Sequence, residues 1–557
     1  MSSYYNNGGS GGTPYGQPPP PQQQHNFGYS HLSQPTYAQQ LHQQQQPPAY
    51  YGQTQQQPPQ QQQYGGYFPP PPQPQSQPGY AHGDAGGLPP DYAHMSPYTG
   101  KPVFRDLWAA ILYFAHLAGF VVLAVVILKN MPKETLRFSG DFSNAKEFWS
   151  WPTIVILIAA AGIGFALSFV YLLCMHLFTT ALIIVSFFVS VAAMLGLAAY
   201  FAYRRIWVAC AIFAVFGILS ALMWFAVRKK IPFSKIMLRT VMAVMRRFPA
   251  TIAVTTLMLV IQIAYLVFFI IVFVGTFPYF DSRKTCTRKT SSTGRVYDSC
   301  TNVPLYLVWV FMAFSLFWTS MVIQNVAHVT VSGVYGTYYF FDGTPGGYPT
   351  ANPTLQSLKR ASTTSFGSVC FGSLIVALIQ LLRFVLRLFT DSSDGLGVFC
   401  AICADCILGC IQGIVEFLNR YAYVQVALYG KSFIAAGKDT WKMLQDRGIE
   451  AIINDCLIGN VLSMGGLIIG VAGGAAAYGI LAGINPLFNQ SGDYTWTVII
   501  LGFIAAADMF MLVAQVIDSG TAATFVCLAE DPGALARTKP YLFEEIRRTW
   551  PAVVYGV

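Results

Sequence analysis

Cys400, Cys403, Cys406 and Cys410 stand at the spacing C-x2-C-x2-C-x3-C, which in a soluble chain would suggest an iron–sulfur cluster. Here the run is embedded in an apolar segment, is followed by Ile411 rather than proline, and has no second cysteine cluster beside it. At helical spacing the four thiols form a stripe of small side chains suited to close packing, or to acylation near a membrane, and no metal is expected. The chain also lacks a P-loop, an H-E-x-x-H pair and a G-x-S-x-G elbow, and no two acids are placed for hydrolysis. Catalysis has no positive support; neither an enzyme nor a cofactor is expected.

The remaining chemistry is polar groups inside long apolar runs. Such groups are costly in lipid, so each needs a partner or a function. They include His116, Gln262, Gln324, Asn325, His328, Gln380, Arg383, Asp405, Gln412, Asp508 and Gln515. Asp508 is the deepest clear acid: it can balance a cation, or pair with a neighbouring helix, for which Arg383 is the candidate. Trp309, Phe314, Phe317 and Trp318 crowd one run, and Tyr335, Tyr338, Tyr339 and Phe340 follow it. Aromatic faces attract quaternary ammonium groups, by ~2 kcal/mol or more when desolvated. Trp318, Asn325, Trp309, Tyr339 and Asp508 are therefore the candidate binding residues.

The elements that must position these groups are membrane helices. Only 10% of the 557 residues are charged and 54% are hydrophobic, against ~25% charged in soluble domains. A hydrocarbon core of ~30 Å takes ~20 helical residues. Ten such runs are legible: Leu107–Leu128, Thr153–Cys174, Ala181–Phe201, Trp207–Val227, Thr251–Gly275, Leu305–Val326, Phe366–Leu386, Val398–Phe417, Cys456–Ile484 and Thr497–Ile517. The eighth is interrupted by Asp405 and Gln412. Unpaired backbone cannot sit in lipid, so the runs must be helical and the expected class is all-α, polytopic. Three regions follow: a tail over 1–103, a ten-helix domain over 104–528 and a short segment over 529–557.

Lys and Arg set the orientation. With both termini in the cytosol, cytosolic segments carry 20 basic residues and outer segments 12. The net charge of +9 is spread over span flanks, so nucleic acid is not an expected partner. Ser234–Arg247 mixes Met and Val with Lys and Arg, as a helix lying on an anionic inner leaflet would. This topology places Asn489-Gln490-Ser491, the only glycosylation sequon, outside the cell, together with Cys286 and Cys300. A disulfide between them would close a 15-residue loop and contribute ~3 kcal/mol by chain entropy; two free thiols are the alternative. Gly466, Gly470 and Gly474 recur every four residues, a spacing that lets membrane helices approach closely.

The first 100 residues hold 22 Gln, 19 Pro and no Lys or Arg, a composition too poor in apolar surface to offset ordering entropy. Disorder is expected. The tail contains Pro47-Pro48-Ala49-Tyr50 and Pro89-Pro90-Asp91-Tyr92. Both have the Pro-Pro-x-Tyr form that docks as polyproline helix in WW domains, with Tyr50 and Tyr92 filling the adjoining pocket. A WW-domain ubiquitin ligase is the partner they suggest; chance in a tail so rich in Pro and Tyr is the alternative.

In order along the chain come Phe317-Trp318, Asn325, Ser332-Gly333 and Tyr338-Tyr339-Phe340, then Gly367-Ser368-Val369-Cys370-Phe371-Gly372-Ser373 closing with Gln380 and Arg383. Phe417-Leu418-Asn419-Arg420, Tyr429-Gly430-Lys431, Glu530-Asp531 and Lys539-Pro540-Tyr541 follow. This ordered set resembles the choline transporter-like solute carriers, in their fungal, pH-nine-sensitive branch. The resemblance implies ten spans with cytosolic termini, a multi-pass protein of the plasma membrane, and movement of choline or a similar small organic cation. An aromatic pocket around Trp318, with Asn325 and Asp508 orienting and balancing the charge, is the expected site. A membrane scaffold or sensor whose tail recruits trafficking partners is the rival class.

Overall fold

The computed structural model describes residues 103–130, 151–281, 285–290, 296–301, 303–390, 395–484 and 494–549, with a few isolated positions besides. The tail with both Pro-Pro-x-Tyr motifs lies outside the described residues, as do the side chains of Cys286, Cys300, Cys400 and Cys403.

Four helices come first: α1 (Leu107–Lys129), α2 (Trp151–Leu177), α3 (Thr179–Tyr203) and α4 (Trp207–Val227). Next are α5 (Ile231–Arg247), α6 (Ala250–Asp281), strands β1 (Thr285–Thr290) and β2 (Val296–Thr301), and α7 (Val303–Phe341). The chain continues with α8 (Pro353–Ser362), α9 (Phe366–Thr390), α10 (Gly395–Tyr429), α11 (Phe433–Ile484) and α12 (Thr495–Glu530), and ends in α13 (Pro532–Thr538) and α14 (Pro540–Thr549). The protein is an all-α polytopic membrane protein, with one β-hairpin in a connection. Among the described residues, nine helices are long and apolar enough to cross a membrane. Each contains one of the expected runs.

The eighth run lies in α10, which is not one of those nine. Its 35 residues reach about 52 Å at 1.5 Å per residue. It packs on α7, α9, α11 and α12, and its polar groups in the run are met by side chains: Asp405 by Arg383 and Arg387 of α9, and Gln412 by Arg383. Partners of that kind make polar groups tolerable in such a helix.

α7 and α12 are the two central helices, and between them they touch most of the others. Their second halves are almost continuously buried, from Val326 to Tyr335 and from Leu512 to Phe525 with few breaks. Tyr421–Leu428 of α10 is buried beside them. One end of the bundle is thus solidly packed. The apolar face of α5 belongs to that packing: Met237, Val241, Val244 and Met245 are buried in the same core as Tyr335 and Val526, and Tyr335 donates to the Val241 carbonyl at 2.9 Å. The expectation of a helix laid on the leaflet by its apolar face is corrected here. α5 is amphipathic as read, but protein covers that face, and Arg239 and Arg246 are on the exposed side.

Close approach between α11 and α12 depends on glycine. A Cβ at Gly473 would overlap the methyl of Ala506, and one at Gly470 would come within 2.7 Å of the Phe503 ring. Gly466 meets only ordinary contacts and Gly479 and Gly483 meet nothing. The stripe is therefore a packing face centred on Gly470 and Gly473.

Candidate functional site

The site begins as helical periodicity. Phe317, Ser320, Met321, Gln324, Asn325 and His328 recur at three- and four-residue intervals and share one face of α7. Glu416, Asn419, Arg420 and Tyr423 do the same on α10, and Gln515, Asp518 and Ser519 on α12. With Val376 and Gln380 of α9 they enclose a cavity of about 490 Å³, within the range of small-molecule sites. It lies near the middle of all four helices.

Hydrogen bonds fix its walls. Asn325 Nδ2 donates to Ser373 Oγ at 2.9 Å and lies 3.3 Å from the Tyr423 hydroxyl. That hydroxyl in turn donates to the Val369 carbonyl. His328 Nε2 faces the Arg420 carbonyl at 2.9 Å and its Nδ1 faces Ser519 Oγ at 2.8 Å. A carbonyl only accepts, so Nε2 carries the proton, and a neutral ring then accepts from Ser519. Arg420 donates to both the carboxylate and the carbonyl of Asp518, at 2.5 and 2.8 Å. Asn419 donates to the Gly372 carbonyl at 3.1 Å.

Charge is unevenly compensated. Asp518 is paired with Arg420. Glu416 accepts from Gln412 Nε2 at 2.7 Å, a neutral donor, and interacts with the Arg383 guanidinium through space. Gln412 is itself held by Arg383 Nη1 at 2.7 Å. Arg383 also donates to Asp405 at 2.7 Å, and Arg387 reaches the other oxygen of that carboxylate at 2.9 Å. Arg383, the candidate helix partner for Asp508 in one of the two sequence readings, is instead on α9 with Asp405 of the adjacent α10 as its acid.

The five candidate binding residues are distributed along the bundle. Asn325 lines the cavity. Trp318 does not; it is 1% exposed, donates to the Cys370 carbonyl at 3.1 Å and packs against Tyr113 and His116 at 5.2 and 5.0 Å between ring centres. Its neighbour Phe317 faces the cavity instead, because consecutive helical residues point about 100° apart. Trp309 donates to Thr276 on α6 at 3.1 Å, and Tyr339 donates to the Asp531 carbonyl at 2.8 Å. Thirty residues separate these two along α7, about 45 Å of helix, so one small ligand cannot touch both.

Asp508 lines a second cavity, of about 530 Å³, between α6, α7, α11 and α12. The two cavities share Gln324, Gln515 and Asp518 as a common wall, across which Gln515 donates to the Gln324 carbonyl at 3.3 Å.

Sequence reasoning missed Glu416, Asn419, Tyr423, Asp518 and Ser519 as wall residues. The three-to-four spacing of polar groups through α10 was the available signal. Asn489, the sequon residue, donates from its amide nitrogen to Thr495 Oγ1 at 3.0 Å.

Residues 211–533 match the profile of the family described as "Plasma-membrane choline transporter", and every residue of both cavities falls inside that range. Protein PNS1 of Gibberella zeae is 34% identical over 464 residues, covering 81% of this chain and 84% of that protein. Protein PNS1 of Cryptococcus neoformans is 33% identical over 81% of this chain and 83% of its own length. Protein PNS1 of Eremothecium gossypii is 35% identical, with 81% and 82% covered.

Proposed function

The chain belongs to the plasma-membrane choline transporter family, and from that premise we propose that it moves choline, or a similar small organic cation, across the plasma membrane through the first cavity. The observation that carries this reading is the cavity at mid-bundle, with Glu416, whose direct partner is the neutral amide of Gln412, as its acid and Phe317 and Tyr423 as aromatic walls. A quaternary ammonium is recognised by such a combination: the carboxylate balances its charge and the rings replace its hydration by cation–π attraction. The hydroxyl of choline would find Asn325, Gln324 or Gln515 as partners.

With both termini cytosolic, the solidly packed end of α7, α10 and α12 is the inner end, and the cavity faces outward in this conformation. Inward release then requires that end to loosen while the outer part closes. The Pro-Pro-x-Tyr motifs at Tyr50 and Tyr92 are proposed, separately, to recruit a WW-domain ubiquitin ligase that sets how long the carrier stays at the surface.

The test is uptake of labelled choline into proteoliposomes. Glu416→Gln is expected to lower uptake by at least tenfold and Asn325→Ala by several-fold, whereas Trp309→Phe stays near wild type. Wild-type uptake in Glu416→Gln would remove the cavity from the pathway, and absence of saturable uptake by the wild type would favour a sensor or scaffold.

A further inference from the structure

Asp508 is a carboxylate at membrane depth with no hydrogen-bond or ion-pair partner among the described residues. An acid in that position needs either a water-filled space or a cation. Of the other acids of the region, Asp518 is ion-paired with Arg420, and Glu416 accepts from the amide of Gln412. Among the described residues, no Lys or Arg lines the second cavity.

The walls around Asp508 differ in kind from those of the first cavity. Met258, Leu259, Leu462, Met511 and Leu512 supply apolar surface, and thioether side chains adapt to chains of varied shape. α6 and α11 both pack against α12, with little direct packing between them. Met511, on the wall of the cavity, is 54% exposed. At membrane depth that surface meets lipid, so the cavity borders hydrocarbon. An acid beside apolar walls that border hydrocarbon matches a ligand with a charged head and a hydrocarbon chain.

We propose that the second cavity is a separate binding site for an alkylammonium amphiphile, its cationic head on Asp508 and its chain between α6 and α11. The site does not depend on choline being the transported substrate. The shared wall of Gln324, Gln515 and Asp518 makes it adjacent to the first cavity, so occupancy of one can be felt at the other.

The experiment uses the full chain in lipid nanodiscs of phosphatidylglycerol, titrated calorimetrically with octyltrimethylammonium and, separately, with tetramethylammonium; empty discs supply the partition background. Asp508→Asn is expected to weaken octyltrimethylammonium binding at least tenfold and to leave tetramethylammonium unchanged. Asp508→Glu is expected to retain binding, and Met511→Trp, which fills the cleft, to abolish it. Glu416→Gln is expected to do the reverse of Asp508→Asn, weakening only tetramethylammonium. Replacing part of the lipid with phosphatidylethanolamine separates the sources: competition assigns the site to a lipid head, and unchanged affinity assigns it to a free amphiphile. Wild-type octyltrimethylammonium affinity in Asp508→Asn overturns the proposal. So does loss of that binding in Glu416→Gln, since a single site would then serve both ligands. Failure of choline uptake would leave the Asp508 comparison readable on its own.

Discussion

Tyr423 and Arg420 face the same cavity three residues apart, yet their bonds differ in value. The Arg420–Asp518 pair is partly solvated, with 22% and 41% of the side chains exposed, and such pairs contribute only about 0–1 kcal/mol. The Tyr423 hydroxyl is buried and joins Asn325, Ser373 and the Val369 carbonyl; losing it strands buried partners, at about 1–3 kcal/mol. Tyr423→Phe is therefore expected to lower the thermal midpoint of the purified protein by several degrees, more than Asp518→Asn does, and to weaken substrate affinity because Asn325 loses an anchor. Equal midpoints for the two variants would reverse that ranking. Asn325 was legible in the sequence since a polar amide in an apolar run needs a reason. The direction of Trp318 was not, because periodicity relates residues on one helix to each other but does not say which face a neighbouring helix will cover.

Helices and their ends carry a second level of control. The chain after α12 folds back on the end of α7: Lys539 Nζ donates to the Tyr338 carbonyl at 3.0 Å, lies 3.6 Å from the Asp342 carboxylate and sits over the Tyr338 ring at 4.1 Å. Thr538 donates to the Tyr339 carbonyl at 3.2 Å. This strap closes the packed end of the bundle, the end that has to loosen for release in the proposed cycle. Lys539→Met keeps the stem on Tyr338 but loses the ammonium; it is expected to reduce stability by about 1–3 kcal/mol and to raise the rate of opening, read as faster choline efflux. Burial, partly offset by Asp342, holds the Lys539 ammonium below the ordinary lysine value. Between that lowered value and the unfolded one the unfolded chain binds more protons, so stability rises with pH through the window. The stability of wild type relative to Lys539→Met should thus improve as pH rises toward the unfolded lysine value of ~10.4; a flat difference would mean that the ammonium is not held in the strap. The strap was invisible in sequence, since nothing local to Lys539 points to a partner nearly two hundred residues away. The amphipathic pattern of α5 was plain, but whether protein or lipid covers an apolar face is a property of the assembled bundle.

At the scale of the whole molecule, ten crossings, the nine apolar helices and α10, would assign each connection to a side, and the β-hairpin between α6 and α7 is the most direct place to check it. The class and nine of the ten runs followed from apolar run length, because lipid leaves the backbone no option but helix; the eighth run is helical in α10, which is not one of those nine. The hairpin could not be read that way, being short and polar. Its register sets Cys286 directly opposite Cys300. Opposed residues of an antiparallel ladder have Cα atoms ~4.5–5.5 Å apart, inside the ~4.4–6.8 Å that a disulfide spans. If the hairpin is outside the cell, oxidation joins the two thiols; in the cytosol they stay reduced. Non-reducing peptide mapping of protein from native membranes is expected to recover residues 286 and 300 in one cross-linked peptide, and Cys286→Ser with Cys300→Ser to lower the thermal midpoint by an amount consistent with about 3 kcal/mol. Impermeant labelling of a cysteine introduced at Lys289 supplies the independent arm: labelling of intact cells fixes the hairpin outside whether or not the bridge forms. Free thiols together with protection of position 289 would invert every crossing, turn the open first cavity toward the cytosol and convert the proposed uptake path into one for export.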